Sequence, residues 1–358
     1  MKTKEELRDL LDSFQATAEN KNITFDEEAI LAAYSKNQNG QSLPIKILSV
    51  LGGILATAAF LGFLLVAGLY NSIEGQLIFG IIFTTAAIWV NKKYDAIILD
   101  TVSISSFLIG LILLAFSLSQ LELNGSLICV IFILIALGSL TIAQNYLLSF
   151  ISVLIINGSI LALIVLNKAY ELAQFYAAAL ALALTIFLLW EAKIITMNVR
   201  ISKLYNPLKT GLSFSFLSGL ILLGVRTILP ISPDYLWITS GIIILAIVYV
   251  VFNLLRAFDI GEDWHKITAC ILVVITLLPT VLSPAISGSI LFMILSFRVN
   301  YKLGLVLGII SSIYFIAQYY YDLRFTLLTK SILLFSAGIF FAILYLVIYK
   351  KLIINEKI

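Results

Sequence analysis

The sequence predicts an all-α integral membrane protein of about 12 transmembrane helices (10–12), both termini cytoplasmic, with a short cytosolic helical segment before the first span. Three observations carry this. Of 358 residues, 61% are hydrophobic and 12% charged, and mean hydropathy is +1.06. An ordinary globular domain is about half apolar and a quarter charged, so a soluble fold could not hide this much apolar surface. Second, apolar runs of span length follow one another with short polar breaks; 12 spans of roughly 20 residues need only about 240 positions. Third, the basic residues fall overwhelmingly on one side of the resulting topology.

Residues 1–44 are polar, and the first apolar run begins at Ile45, so the pattern is not that of a basic stretch leading into the 7–15-residue core of a signal peptide. Thr3-Lys-Glu-Glu6 reads as a capping box, followed by Leu7, Leu10, Leu11 and Phe14 at helical spacing. Thr24-Phe-Asp-Glu27 repeats the box before Ile30, Leu31 and Tyr34. Two short amphipathic helices are expected, as a cytosolic cap on the first span or as a docking site for a partner.

The first membrane half, 45–190, holds runs at 45–70, 76–90, 96–118, 126–143, 146–167 and 171–190. A basic cytoplasmic loop, 191–210, follows with Lys193, Arg200, Lys203 and Lys209. The second half, 211–349, holds runs at 211–229, 235–255, 267–283, 285–297, 303–318 and 327–349, and 350–358 is a cytoplasmic tail. With the N-terminus inside, all but four of the 23 Lys and Arg lie on the cytoplasmic side; the exceptions are Lys168, Arg226, Arg324 and Lys330. Within 267–297, Pro279 and Pro284 break the helix, and an in–out–in excursion keeps Arg298 and Lys302 inside. Trp89, Trp190 and Trp264 mark inner boundaries, and Tyr235 and Trp237 an outer one. Ala177, Ala178, Ala179, Ala181 and Ala183 in the sixth span, and Ala58 and Gly62 in the first, are expected at helix contacts.

Catalytic signatures are missing. There is no phosphate loop, no G-x-S-x-G elbow, and with one histidine no H-E-x-x-H site. His265, in the expected inner loop beside three acids, reads as a solvated histidine or a pH-responsive group. Cys129 and Cys270 lie in apolar runs and form no disulfide framework. The chain is therefore expected to be non-enzymatic, with no cofactor, and its net charge of +3 gives no reason to expect nucleic acid. Asn124-Gly-Ser126 fits a glycosylation sequon.

Polar groups at membrane depth are the candidate contacts for a substrate or partner, because each costs a few kcal/mol to place there. Asp100, early in the third span with Ser103 one turn on, is either an interfacial carboxylate or a proton or cation site. Asn157, near the middle of the fifth span, suits an interhelical hydrogen bond or a substrate contact. Arg226 ends the seventh span, where it snorkels or recognises an anion. The last outer loop gathers Tyr319, Tyr320, Tyr321, Asp322, Arg324 and Lys330, with Asp322 a candidate ion-pair partner for Lys330 or Arg226.

Tyr320-Tyr321-x-Leu323-x-x-x-Leu327-Leu328-x-Lys330-Ser331-x-x-Leu334-x-x-x-Gly338 resembles the C-terminal signature of a family of bacterial inner-membrane proteins known only as a domain of unknown function. The resemblance implies a multi-pass protein of the bacterial cytoplasmic membrane. It also implies an outward-facing partner, since in that family a neighbouring gene often encodes a small membrane-anchored protein with a Gly-Asp-Tyr motif. It implies no activity. The favoured reading is a secondary transporter or lipid-handling carrier; the alternative is a scaffold binding a periplasmic or membrane-anchored partner through Tyr319–Lys330. The lipid bilayer is the one partner both share.

Overall fold

The computed structural model describes residues 43–93, 97–143, 145–225, 228–257 and 263–323, with scattered positions between 326 and 346. All regular structure among them is helical. In chain order the helices are α1 (Leu43–Val66), α2 (Ile73–Lys93), α3 (Ile97–Gln120), α4 (Gly125–Ile142), α5 (Tyr146–Leu166) and α6 (Leu172–Leu189). Then come α7 (Glu191–Met197), α8 (Val199–Gly224), α9 (Leu236–Ala257), α10 (Asp263–Leu277), α11 (Pro284–Arg298) and α12 (Lys302–Asp322). Eight of these (α2 to α6, α8, α9 and α12) are long and apolar enough to cross a membrane, the architecture of a multi-pass membrane protein. Shorter apolar stretches cover Leu55–Val66, Lys266–Leu282 and Pro284–Arg298. The two amphipathic helices expected in 1–44 lie outside the described residues except for positions 43 and 44, and the run 327–349 is described only in part.

Short connections force consecutive helices to run antiparallel, and one device closes three of the hairpins. After α3, α5 and α11 the backbone turns left-handed at Glu122, Lys168 and Asn300, with φ of 56°, 54° and 52°. The next amide then reaches back to the helix: Leu123 N to Leu118 O at 3.3 Å, Ala169 N to Ile164 O at 3.0 Å and Tyr301 N to Ser296 O at 2.8 Å. This is the six-to-one closure that satisfies the last carbonyls of a helix. Three helices, α4, α5 and α8, start on side-chain caps. Asn124 and Asn145 accept from the amides of Ser126 and Leu147, each at 3.1 Å, and Asn198 from that of Arg200 at 3.1 Å. Asn124, the first residue of the sequon pattern, thus caps α4.

Two expectations change. Residues 191–210 are not a loop: α7 and the first half of α8 make them helical, with Pro207 buried inside α8. They are polar enough to interrupt a hydropathy run, but Glu, Lys, Ala and Leu are good helix formers. His265 likewise falls within α10 rather than in a loop. The proline-divided segment resolves into α10, a 3-10 turn at Leu278–Leu282 carrying Pro279, and α11 opened by Pro284. Ala285 packs against Gly224 at the end of α8, while Tyr301, just past α11, lies over Lys209 some 15 residues earlier in α8. So α11 runs back along α8 over about 22 Å. That is short for a bilayer core, but α11 is buried along nearly its whole length, where non-ideal backbone is tolerated.

The largest core joins α6, α8, α9 and α11 through Leu184, Leu188, Phe216, Leu220, Ile243 and Phe292. A second core links α2 and α3 to α5 through Ala87, Phe107 and Leu148. The α2–α3 pair is tightly apposed: a Cβ on Gly110 would run into the side chain and backbone of Thr84, and one on Gly80 would meet Leu114 at 2.8 Å. Of the alanines in α6, Ala177, Ala178 and Ala181 are buried as expected, while Ala179 and Ala183 face outward. Ala58 and Gly62 in α1 also face outward; the close contact there is Gly53, whose carbonyl accepts from Ser105 Oγ of α3 at 3.1 Å.

Candidate functional site

The sequence-predicted residues separate into three places. Asp100 lies in the first turn of α3, partly exposed, where a carboxylate is favoured by the helix N-terminus. Ser103, one turn on, is fully buried with no hydrogen-bond partner for its hydroxyl. The pairing of Gly80 with Leu114 and of Thr84 with Gly110 sets the register of α2 against α3. Continued toward the same end, that register places Asn91 opposite Ser103. Asn91 is buried with neither amide atom bonded, and sequence reading missed it.

Asn157 is enclosed in α5. Its Nδ2 donates to Val153 O at 2.9 Å, and its Oδ1 accepts from Tyr176 Oη of α6 at 3.0 Å. The amide is spent on an interhelical bond, one of the two readings given above. It does not come together with Asp100, which lies at the end of another helix. Arg226 and Arg324 lie outside the described residues.

In the segment read as the last outer loop, whose residues Tyr319–Asp322 belong to α12, Lys330 does not take Asp322 as its partner. Its Nζ donates to Tyr320 O at 2.9 Å and sits 4.9 Å from the Tyr320 ring centre. Asp322 Oδ1 accepts from Gln318 Nε2 at 3.2 Å. Tyr320 and Tyr321 meet edge to face at 6.0 Å, and Tyr321 is 76% exposed.

The most concentrated chemistry was hidden in the segment read as a loop. Lys209 of α8 is only 12% exposed, and its Nζ stands 3.7 Å from Glu191 Oε1 of α7. The same Nζ lies 5.0 Å from the ring centres of both Tyr205 and Tyr301. A desolvated ammonium over an aromatic face gains roughly 2 kcal/mol per ring. Tyr205 is fully buried and stacks on Phe187 of α6 at 4.9 Å with an 11° tilt. Thr210 shares a 2.9 Å hydrogen bond with Tyr146 at the start of α5. Burial pushes the Tyr301 phenol above its ordinary value, outweighing the Thr210 hydroxyl beside it, so the ring meets the lysine as a neutral phenol. Behind Tyr301, the buried Ser296 hydroxyl at the end of α11 has no hydrogen-bond partner.

The centre therefore joins four helices, α5 to α8, and the α11–α12 corner. Its residues come from Tyr146, Phe187, Glu191, Tyr205, Lys209, Ser296 and Tyr301, so the partners span more than 150 positions of sequence. Nothing local in the sequence distinguishes Lys209 from the other lysines at the same end of the bundle. Around it lies the basic end of the bundle, with Lys92, Lys93, Lys193, Arg256, Lys266 and Arg298 near helix ends. Lys93 and Lys193 stand over the exposed rings of Trp89 and Trp190 at 4.9 and 5.2 Å, as anchors at a membrane surface do.

No curated protein and no solved structure matches the chain. A family model described as "Domain of unknown function (DUF4401)" matches residues 42–351, nearly all of the helical bundle. The chain belongs to that family.

Proposed function

We propose that this protein is a secondary carrier with its basic end in the cytoplasm, and that the Lys209 centre is its cytoplasmic gate. The resemblance at 320–338 supports a bacterial inner membrane, and the concentration of Lys and Arg at one end supports that orientation, with up to 12 crossings. The single observation that carries the reading is the charged, aromatic cluster at the mouth of the bundle. It ties α5 of the first half to α8 and the α11–α12 corner of the second. An ion pair whose ammonium is mostly buried and whose carboxylate is half-buried is a poor choice for plain stability, because desolvating the lysine offsets much of the Coulomb gain. It is a good choice for a contact with two states: closed, the ammonium is held by Glu191 and two rings; open, water takes their place at little net cost.

The test uses a single cysteine at position 296, placed by Ser296→Cys after replacing Cys129 and Cys270. An impermeant thiol reagent is applied from the basic side, with and without Lys209→Ala. Labelling is expected to rise at least tenfold when Lys209 is removed. An unchanged rate in a folded variant would make the cluster a static tie. The exposed Tyr321 face would then favour a scaffold binding a partner at the opposite end.

A further inference from the structure

A groove of about 600 Å³ runs between α9 and α10 on the outside of the bundle. Leu245, Tyr249 and Phe252 form one wall, and Ile267, Cys270 and Ile271 face them from the other. The volume is in the range of small-molecule sites, yet the lining is almost wholly aliphatic and aromatic. The side chains are exposed, Leu245 by 70% and Ile271 by 54%, so the groove opens toward the surrounding lipid rather than into the bundle.

Helical spacing puts a cation on each wall one turn beyond the apolar stretch. Arg256 follows Phe252 by four positions on α9 and is exposed in its last turn. Lys266 precedes Cys270 by four positions on α10. Residues four apart share a helix face, so both walls carry apolar side chains toward the middle and a positive charge at the basic end. Trp264, 72% exposed, sits beside the same mouth. An apolar slot ending between two cations and an interfacial tryptophan is complementary to one class of molecule: acyl chain in the slot, anionic head group at the mouth.

The geometry points to the α9–α10 groove as a binding site for an anionic glycerophospholipid of the leaflet at the basic end. Its phosphate lies between Arg256 and Lys266, and an acyl chain lies along Tyr249, Phe252 and Ile271. The site is separate from the Lys209 centre and stands whether or not the protein is a carrier.

Cys270 lines the groove and supplies the reporter. In a Cys129→Ser variant of the full chain, Cys270 is labelled with bimane and the protein is placed in phosphatidylcholine vesicles. Increasing fractions of either brominated phosphatidylglycerol or brominated phosphatidylcholine are then added. Quenching is expected to favour the anionic lipid by about fivefold in relative binding constant, the factor one surface cation supplies at roughly 1 kcal/mol. Arg256→Gln with Lys266→Gln should bring the ratio close to one, while Lys92→Gln on distant α2 should leave it unchanged. Native mass spectrometry of unlabelled protein titrated with phosphatidylglycerol should show the same loss of bound lipid in the double variant. Equal quenching by the two lipids, or a preference that survives the double substitution, would overturn the assignment.

Discussion

Asn157 shows what a single polar side chain does at membrane depth. Placed among Leu and Ile with no water to bond, an amide must find a partner on its own turn and another across the helix pair, and Val153 and Tyr176 provide them. Tyr176→Phe removes one donor while keeping the ring, leaving Asn157 Oδ1 unsatisfied. The expected loss is about 0.5–1.5 kcal/mol, read as a lower thermal unfolding midpoint in detergent. Undiminished stability would show that this bond is not a net contributor. An isolated Asn in an apolar run is legible, because its cost is local and visible in the sequence. Lys209 was not legible for the converse reason. In sequence it is one more basic residue in a polar segment, and only folding brings Glu191, Tyr205 and Tyr301 to it. Asn91 escaped notice because it adjoins Lys92 and Lys93 and reads as part of an interfacial stretch; its burial follows from the register of α2 against α3.

At the scale of elements, apolar runs marked most of the helices, since a span must be continuous to satisfy its own backbone in lipid. The runs failed where polarity and helicity part company, in 191–210, where α7 buries no residue and α8 begins to bury side chains only at Tyr205 and Pro207, yet both are helical. Close helix pairing follows from small residues. Gly110→Ala places a methyl against the Thr84 backbone, and with no flexible side chain to give way α2 and α3 must separate. A destabilisation of about 1–3 kcal/mol is expected by thermal unfolding, and a neutral result would contradict the close approach. The hairpin corners permit the opposite kind of change. Lys168 adopts φ of 54° without being glycine, a conformation that costs a residue with a Cβ about 1 kcal/mol. Lys168→Gly should therefore raise stability by about 0.5–1 kcal/mol. A loss instead would mean that the Lys168 side chain contributes more than its backbone strain costs.

The whole molecule is a bundle with one basic end and a charged seam at that end. Composition alone made the membrane assignment legible, because 61% hydrophobic residues leave no soluble alternative. The charged seam was not legible, since it is built from α5, α6, α7, α8 and the α11–α12 corner at once. A gate at that seam requires two arrangements of the same helices, with the Lys209 contacts biasing one of them. Spin labels on cysteines at positions 141 and 302, at the basic ends of α4 and α12, would report the separation across it. The protein would be reconstituted in vesicles and read by pulsed electron–electron resonance. The account predicts two distance populations, with the longer one growing in Lys209→Ala. A single narrow distribution, the same with and without Lys209, would contradict it.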